Sequence, residues 1–220
     1  MIDRLFGIIA PHHCYGCGIT GTVLCDCCKN DIFEERNADK VTSGRTYASN
    51  TMCRPDAKPR QPTWCAAPRR GVLAEIIDAY KFQRVKAAHR PLAELLFESL
   101  PDLPGSTIIV PIPTAPRNVR VRGYDHMVLI ARELSRLSGW KVSPLLQRTN
   151  NVTQHFTKTA TERKRQAEKF FSIRKNPEPH RLYIIIDDIA TTGATLDAAV
   201  HCLKSAGAKT VYTATIAKQI

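Results

Sequence analysis

No apolar run in the 220-residue chain approaches the roughly 20 residues a membrane helix needs. The first ten residues carry Asp3 and Arg4 inside a short apolar stretch, too short and too charged for a secretory signal. These two lacks predict a soluble, cytoplasmic protein with no membrane partner. There is no internal repeat and no low-complexity tract, which leaves a folded globular chain; hydrophobic residues at 43% and charged residues at 24% agree with that. No nucleophile–base constellation of the hydrolase kind is visible either, and a lone His126 or His155 reads first as a surface or core group.

Acidic residues are in deficit. The chain has 20 Asp+Glu against 32 Lys+Arg, a net charge of +12. The excess is local: residues 117–181 hold 15 basic and 5 acidic side chains, while residues 182–220 hold three of each. A field of this sign in mid-chain fits either a phosphorylated or polyanionic partner or a soluble basic surface. There are eight cysteines, but without a signal a reducing compartment is expected, so their spacing matters more than their number.

Residues 1–68 hold all the cysteines but Cys202, many turn formers and little periodicity, and a proline-rich linker runs over 53–64. From about Gly71 the pattern changes. Helical spacing appears at Leu92, Leu95, Leu96 and Leu100, at Met127, Ile130, Ala131 and Leu134, and at Leu196, Ala199, Val200 and Leu203. Short β-branched runs lie between them at 107–111, 182–186 and 210–216. Apolar strands alternating with helices predict an α/β domain with a parallel sheet covered on both faces. The expected division is a cysteine-rich module and linker over 1–68 and an α/β domain over 69–220.

Cys14 and Cys17 form one C-x₂-C pair; Cys25 and Cys28 form another, seven residues on. Each pair can present two thiolates to one tetrahedral metal, and Gly16 and Gly18 suit the tight turns required. Cys14, Cys17, Cys25 and Cys28 are the expected zinc ligands. Cys27 is an alternative to Cys25 or Cys28, and His12 and His13 lie near enough to substitute. Four protein ligands leave no open position, so the zinc would be structural. Cys53 and Cys65 have no such mate, and Cys202 falls among apolar helix positions.

The segment 182–196 is the most informative. A buried strand leads into Asp187 and Asp188, then Thr191, Thr192, Gly193, Ala194 and Thr195, then a helix. Open α/β sheets bind ligands at the carboxyl ends of their strands. A helix N-terminus with hydroxyls favours phosphate, and adjacent carboxylates can hold a vicinal diol or help to hold Mg²⁺. The plainer reading is a turn in which a threonine caps the helix.

This segment resembles the ribose-phosphate motif of type I phosphoribosyltransferases. The resemblance implies that Asp187 and Asp188 hold the ribose hydroxyls of phosphoribosyl pyrophosphate, and that residues 191–195 hold its 5′-phosphate. The whole chain is similar to the ComF family of competence-associated, phosphoribosyltransferase-like proteins. The segments that carry this are the cysteine pairs, Ala79–Phe82 with Lys81, Val110–Pro113, Arg117, Arg122–Asp125, Gln154, Arg163, Phe170 and Gly207–Val211. Asp125 and His126 stand where that family usually has Asn-Gln, and Gln166 where an Asn commonly follows. The resemblance implies a phosphoribosyltransferase-like fold with phosphoribosyl pyrophosphate and Mg²⁺ as ligands. It also implies a role in DNA uptake, with competence proteins and single-stranded DNA as partners. Catalysis, if present, would transfer a pentosyl group, with Asp187 and Asp188 as the central residues.

Lys81, Arg117 and Arg122 are expected near the phosphate site, since arginine forks suit pyrophosphate. Arg120, Arg163, Lys164 and Arg165 are candidates for nucleic acid. Cations interleaved with aromatic groups such as Tyr124, Phe170 and Phe171 can track a single strand. A non-catalytic protein that binds single-stranded DNA through this segment is the alternative.

Overall fold

The computed structural model describes residues 12–43, 63–149 and 170–219. Arg163, Lys164, Arg165, Gln154 and Cys53 lie outside the described residues.

The elements in order are α1 (Asp26–Ser43), β1 (Thr63–Pro68), α2 (Gly71–Phe82), α3 (His89–Ser99), β2 (Ile108–Pro111), α4 (Pro116–Arg122), α5 (His126–Ser138), β3 (Lys141–Val142), β4 (Leu146–Arg148), β5 (Phe171–Ile173), β6 (Leu182–Ala190), α6 (Ala194–Ser205) and β7 (Thr210–Lys218), with a 3₁₀ turn over Lys86–Ala88 before α3. The five-stranded sheet has the order β1-β7-β6-β2-β3, with every pairing parallel. Strands β4 and β5 form a separate antiparallel pair.

The strand residues divide between two cores with period two. Ile109, Ile184 and Ile186 face one cluster with the apolar stripes of α2, α3 and α5. Val110, Tyr183 and Ile185 face the other, with α6, Leu146 and Phe171. This is why 182–186 reads as a continuous apolar run: both faces of β6 are covered. The helical spacing at 92–100, 127–134 and 196–203 corresponds to α3, α5 and α6. Local chemistry sets the ends of α5. Asp125 accepts hydrogen bonds from the Met127 and Val128 amides at its start, and Gly139, at φ 75°, closes it in a left-handed turn.

Two features place the site. After β2 the chain passes through α4 and α5 to β3 on one side; after β6 it passes through α6 to β7 on the other. The sheet therefore reverses its winding between β2 and β6, and a crevice opens there at the carboxyl ends of the strands. The second feature is the reach of the core. Thr63–Pro68, assigned to the linker end from sequence, forms the edge strand β1 against β7. Cys14, Val23, Leu24, Cys28 and Ile32 are buried in the same cluster as α2 and α3. The cysteine-bearing segment and the sheet thus share one core.

Leu96 of α3 is fully buried in that core and distant in sequence from the crevice residues. Leu96→Ala is expected to cost about 2–5 kcal/mol, read as a lower urea midpoint with an unchanged slope.

Candidate functional site

The crevice between β2 and β6 is a cleft of about 270 Å³. Lys81, Thr114, Arg122, His126, Arg148, Asp187, Asp188 and Thr195 line it, with the turn after β2 as one wall. Strand β6 continues past the isoleucines, so both aspartates project from a paired strand rather than from a loop.

Asp188 is 8% exposed and is the most heavily partnered group in the cleft. Its Oδ2 lies 2.8 Å from Lys81 Nζ and 2.6 Å from His126 Nε2. Lys81 sits in the last turn of α2, and Arg122 Nε donates to its carbonyl at 2.7 Å. Arg122 Nη1 lies 2.9 Å from His126 Nδ1. Thr114 donates to Asp125 Oδ1 at 2.7 Å, so the residue that caps α5 also fixes the turn after β2. Tyr80 donates to the His126 carbonyl at 2.7 Å and Tyr124 to the Tyr80 carbonyl at 2.6 Å, with the two rings stacked. These bonds lock α2, α4 and α5 together around one carboxylate.

The two aspartates differ in electrostatics. Burial pushes the Asp188 carboxyl up, but the bond from His126 and the charge of Lys81 outweigh it and hold Asp188 well below the usual carboxylate range. For Asp187 the burial and the neighbouring Asp188 charge outweigh the bond from the Asp188 amide and the charges of Lys81 and Arg148, and its carboxyl is pushed up to about 7. Its Oδ1 accepts the Asp188 amide at 2.9 Å.

The structure brings Lys81, Arg122, Asp187, Asp188 and Thr195 into one cleft. It does not bring Arg117 there: Arg117 and Arg120 are exposed on α4 and do not line the cleft. Arg122 is buried and bonded within the protein rather than held out as a free fork. Thr191, Thr192 and Gly193 form the turn from β6 to α6, and Ala194 begins α6. Gly193, at φ 74°, takes the N-cap position that sequence gave to a threonine, and Thr192 Oγ1 accepts from the Ala194 amide at 3.4 Å. A left-handed backbone there favours glycine. Sequence reasoning set His126 aside as a surface or core group and passed over Thr114 and Arg148. Arg148 Nε donates to the Pro113 carbonyl at 2.7 Å, which ties the β4–β5 pair to the cleft wall. A signal for His126 was its departure from the Asn-Gln pattern.

The cysteines form a second centre. The sulfurs of Cys14, Cys17, Cys25 and Cys28 lie within 4.8 Å of one another. Cys25 Sγ is 3.7 Å from Cys14 Sγ and 3.6 Å from Cys17 Sγ. Four sulfurs about 2.3 Å from a tetrahedral metal would be about 3.8 Å apart, so the set fits such an ion. A Cβ on Gly16 would fall 2.5 Å from Cys28 Sγ, so glycine is what lets the first knuckle close on the second. The Cys25 amide donates to Cys14 Sγ at 3.4 Å. Burial pushes the Cys14 thiol up, but bonds from the backbone of Cys17, Cys25 and Gly16 bring it down to about 6, which favours the thiolate a metal needs. Cys27 is exposed and outside the group, and His13 is turned to the Gly18 carbonyl and Thr20. Cys65 is buried and donates to the Ala67 carbonyl, and Cys202 donates to the Phe171 carbonyl.

The phosphoribosyl transferase domain model matches residues 148–220, which contain β6, the acidic pair and α6. Competence protein ComFC of Bacillus subtilis is 30% identical over 202 residues, covering 90% of this chain and 74% of that protein. The chain belongs to the ComF family. Competence protein F of Haemophilus influenzae is 29% identical over 154 residues, 63% of this chain and 65% of that protein. DNA utilization protein YhgH of Shigella flexneri is 29% identical over 152 residues, with 63% and 64% covered. The chain thus spans just under two thirds of the length of the last two relatives. Among the described residues of this ComF-family protein, no helix is long and apolar enough to cross a membrane.

A carboxyl raised toward neutrality binds its proton more tightly in the folded state. Its stabilising contribution is complete at acid pH below the ordinary carboxylate range and is lost as pH rises through about 7. Asp187→Asn, which stays neutral, is expected to melt a few degrees above wild type at pH 8, with the gap closing steadily as the pH falls toward the ordinary carboxylate range. Differential scanning calorimetry across that range checks the sign.

Proposed function

We propose that the cleft binds phosphoribosyl pyrophosphate together with Mg²⁺ and that the protein is a phosphoribosyltransferase-type enzyme. One observation carries this reading: an acidic pair on β6, followed by the α6 N-terminus, opens onto the crevice where the sheet reverses its winding. Asp187 and Asp188 would accept the ribose hydroxyls. Thr195, the turn over 191–193 and the first amides of α6 would take the 5′-phosphate. Lys81 lies beside the acidic pair, where it balances charge. Mg²⁺ would shield the pyrophosphate that leaves as the anomeric carbon becomes positive, and a preorganised carboxylate stabilises that charge. The names of the relatives support a setting in competence and DNA use, and so a cytoplasmic location.

Calorimetry with phosphoribosyl pyrophosphate and Mg²⁺ tests the site. Wild type should bind, and Asp187→Asn/Asp188→Asn should weaken binding at least about 30-fold, the effect of losing two charge-assisted hydrogen bonds. No binding by folded wild type would sink the reading.

The cysteine set supports a structural zinc. Because Cys14 and Cys28 sit in the shared core, stripping the metal should lower the stability of the whole chain, not only of its first segment. A chelator is expected to lower the main calorimetric transition by more than about 5 °C, and one equivalent of zinc should restore it. A metal-stripped protein with an unchanged main transition would contradict this. The division into a cysteine unit over 1–68 and a phosphoribosyltransferase-like unit over 69–220 belongs to the same proposal, with β1, at the end of the first range, reaching across to pair with β7 at the edge of the sheet.

One observation favours a second activity, binding of single-stranded nucleic acid. Arg117 and Arg120 are exposed on α4 outside the cleft, in the segment that carries the positive charge. Such binding would weaken steeply with salt.

A further inference from the structure

The bond donors around His126 fix more than its position. A guanidinium has only N–H donors, so Arg122 Nη1, at 2.9 Å, donates to His126 Nδ1. That nitrogen therefore carries no proton. Thr114 Oγ1 is 3.0 Å from the same nitrogen, but its proton goes to Asp125 Oδ1 at 2.7 Å. The imidazole proton must then sit on Nε2, which faces Asp188 Oδ2 at 2.6 Å. A second proton on Nδ1 would point at the Arg122 cation, so the ring is neutral. Arg122 is itself held by the Lys81 carbonyl, and Lys81 Nζ takes the same Asp188 oxygen. Every group around Asp188 Oδ2 is thus oriented by another group in the ring, and among the described residues no protein donor is recorded on Oδ1.

We propose that His126 is a positioning residue: Arg122 holds it as the neutral Nε2–H tautomer, and with Lys81 it clamps Oδ2 of Asp188 so that Oδ1 is presented to a hydroxyl of the ligand. This rests on the proposed phosphoribosyl site and adds the part that aims its carboxylate. It also gives Arg122 a role apart from pyrophosphate, since its Nε and Nη1 are committed within the protein. The position is one where this chain departs from its family pattern: a glutamine side chain also offers a donor, but no ring with an acceptor held opposite.

The test uses the zinc-loaded full chain and three proteins: wild type, His126→Gln and His126→Leu. Imidazole ¹⁵N spectra of ligand-free wild type at pH 7.5 are expected to show His126 protonated at Nε2 and bare at Nδ1. Calorimetry with phosphoribosyl pyrophosphate and Mg²⁺ is expected to find His126→Gln within about threefold of wild type, because the donor to Asp188 survives. His126→Leu should bind more than about tenfold more weakly, because Asp188 and Arg122 each lose a partner. Far-ultraviolet circular dichroism and zinc content verify that both variants are folded. If leucine unfolds the chain, the spectrum and the glutamine variant decide. An Nδ1–H tautomer, an imidazolium, a leucine variant that binds like wild type, or a folded glutamine variant that loses binding would overturn the proposal. If wild type binds no phosphoribosyl pyrophosphate, the proposed function and the ligand half of this inference fall together. The spectrum still judges the clamp on its own.

Discussion

A buried carboxylate must find compensating charge or give up its own. Asp188 keeps its charge because Lys81 and His126 meet on a single oxygen, and that requirement organises the neighbouring structure. Lys81 ends α2, Arg122 ends α4 and His126 begins α5. The three helix termini converge on one point of β6. Replacing such a cluster with packed apolar groups often costs a fold nothing, so its presence is better explained by use than by stability. The partner Asp187 shows the same logic from the other side. Burial and the anion next to it push its carboxyl up to about 7. One pair of like residues, adjacent in sequence, therefore offers a fixed anion and a group that can change protonation near physiological pH.

The sheet supplies the place where this asymmetry is useful. Because β2 and β6 lead to helices on opposite faces, a cleft opens at the ends of these two strands, left by topology rather than carved by side chains. The hydrogen-bonded register Pro111↔Ile186 sets the turn after β2 level with the acidic pair. Thr114 and Asp125 then connect that turn to the start of α5. The Asp that replaces the family's usual Asn at 125 still makes the bonds a cap needs, so this departure preserves the local structure.

What could be read from the chain was what repeats within it. Helices α3, α5 and α6 and strands β6 and β7 follow from 3.6-residue and two-face apolar patterns, and the acidic pair with its loop stands out as a contiguous motif. The parts missed depend on contacts across long separations. His126 and Asp188 are 62 residues apart, and neither position shows the other from its neighbours. Strand β1 is six residues, bounded by prolines and arginines, and becomes a strand because β7 offers it an edge. Arg117 and Arg122 read as one phosphate-binding pair, yet α4 separates them: its turns expose Arg117, with Arg120, and bury Arg122. Spacing of three along a helix keeps Arg117 and Arg120 on one face and spacing of five turns Arg122 to another, and charge composition carries no such information.

Helix α2 links the two centres. Near its first residue, Val72 lies where Gly16 closes on Cys28; its last turns carry Tyr80, bonded to the His126 carbonyl, and Lys81, bonded to Asp188. Twelve residues at about 1.5 Å each make a rod of about 18 Å with the cysteine cluster at one end and the carboxylate clamp at the other. Leu73, Ile76 and Ile77 fix that rod in the core between them. The far end of the rod is only as well placed as the near end, because a lysine and a tyrosine in a final helical turn inherit any tilt of the axis. A closed four-cysteine metal site would do no chemistry of its own, but the cysteine cluster packs at the start of the helix that aims a cation at the acidic pair. On this geometry the cysteine segment belongs to the architecture of the cleft, because α1, β1 and α2 pack in one shared core.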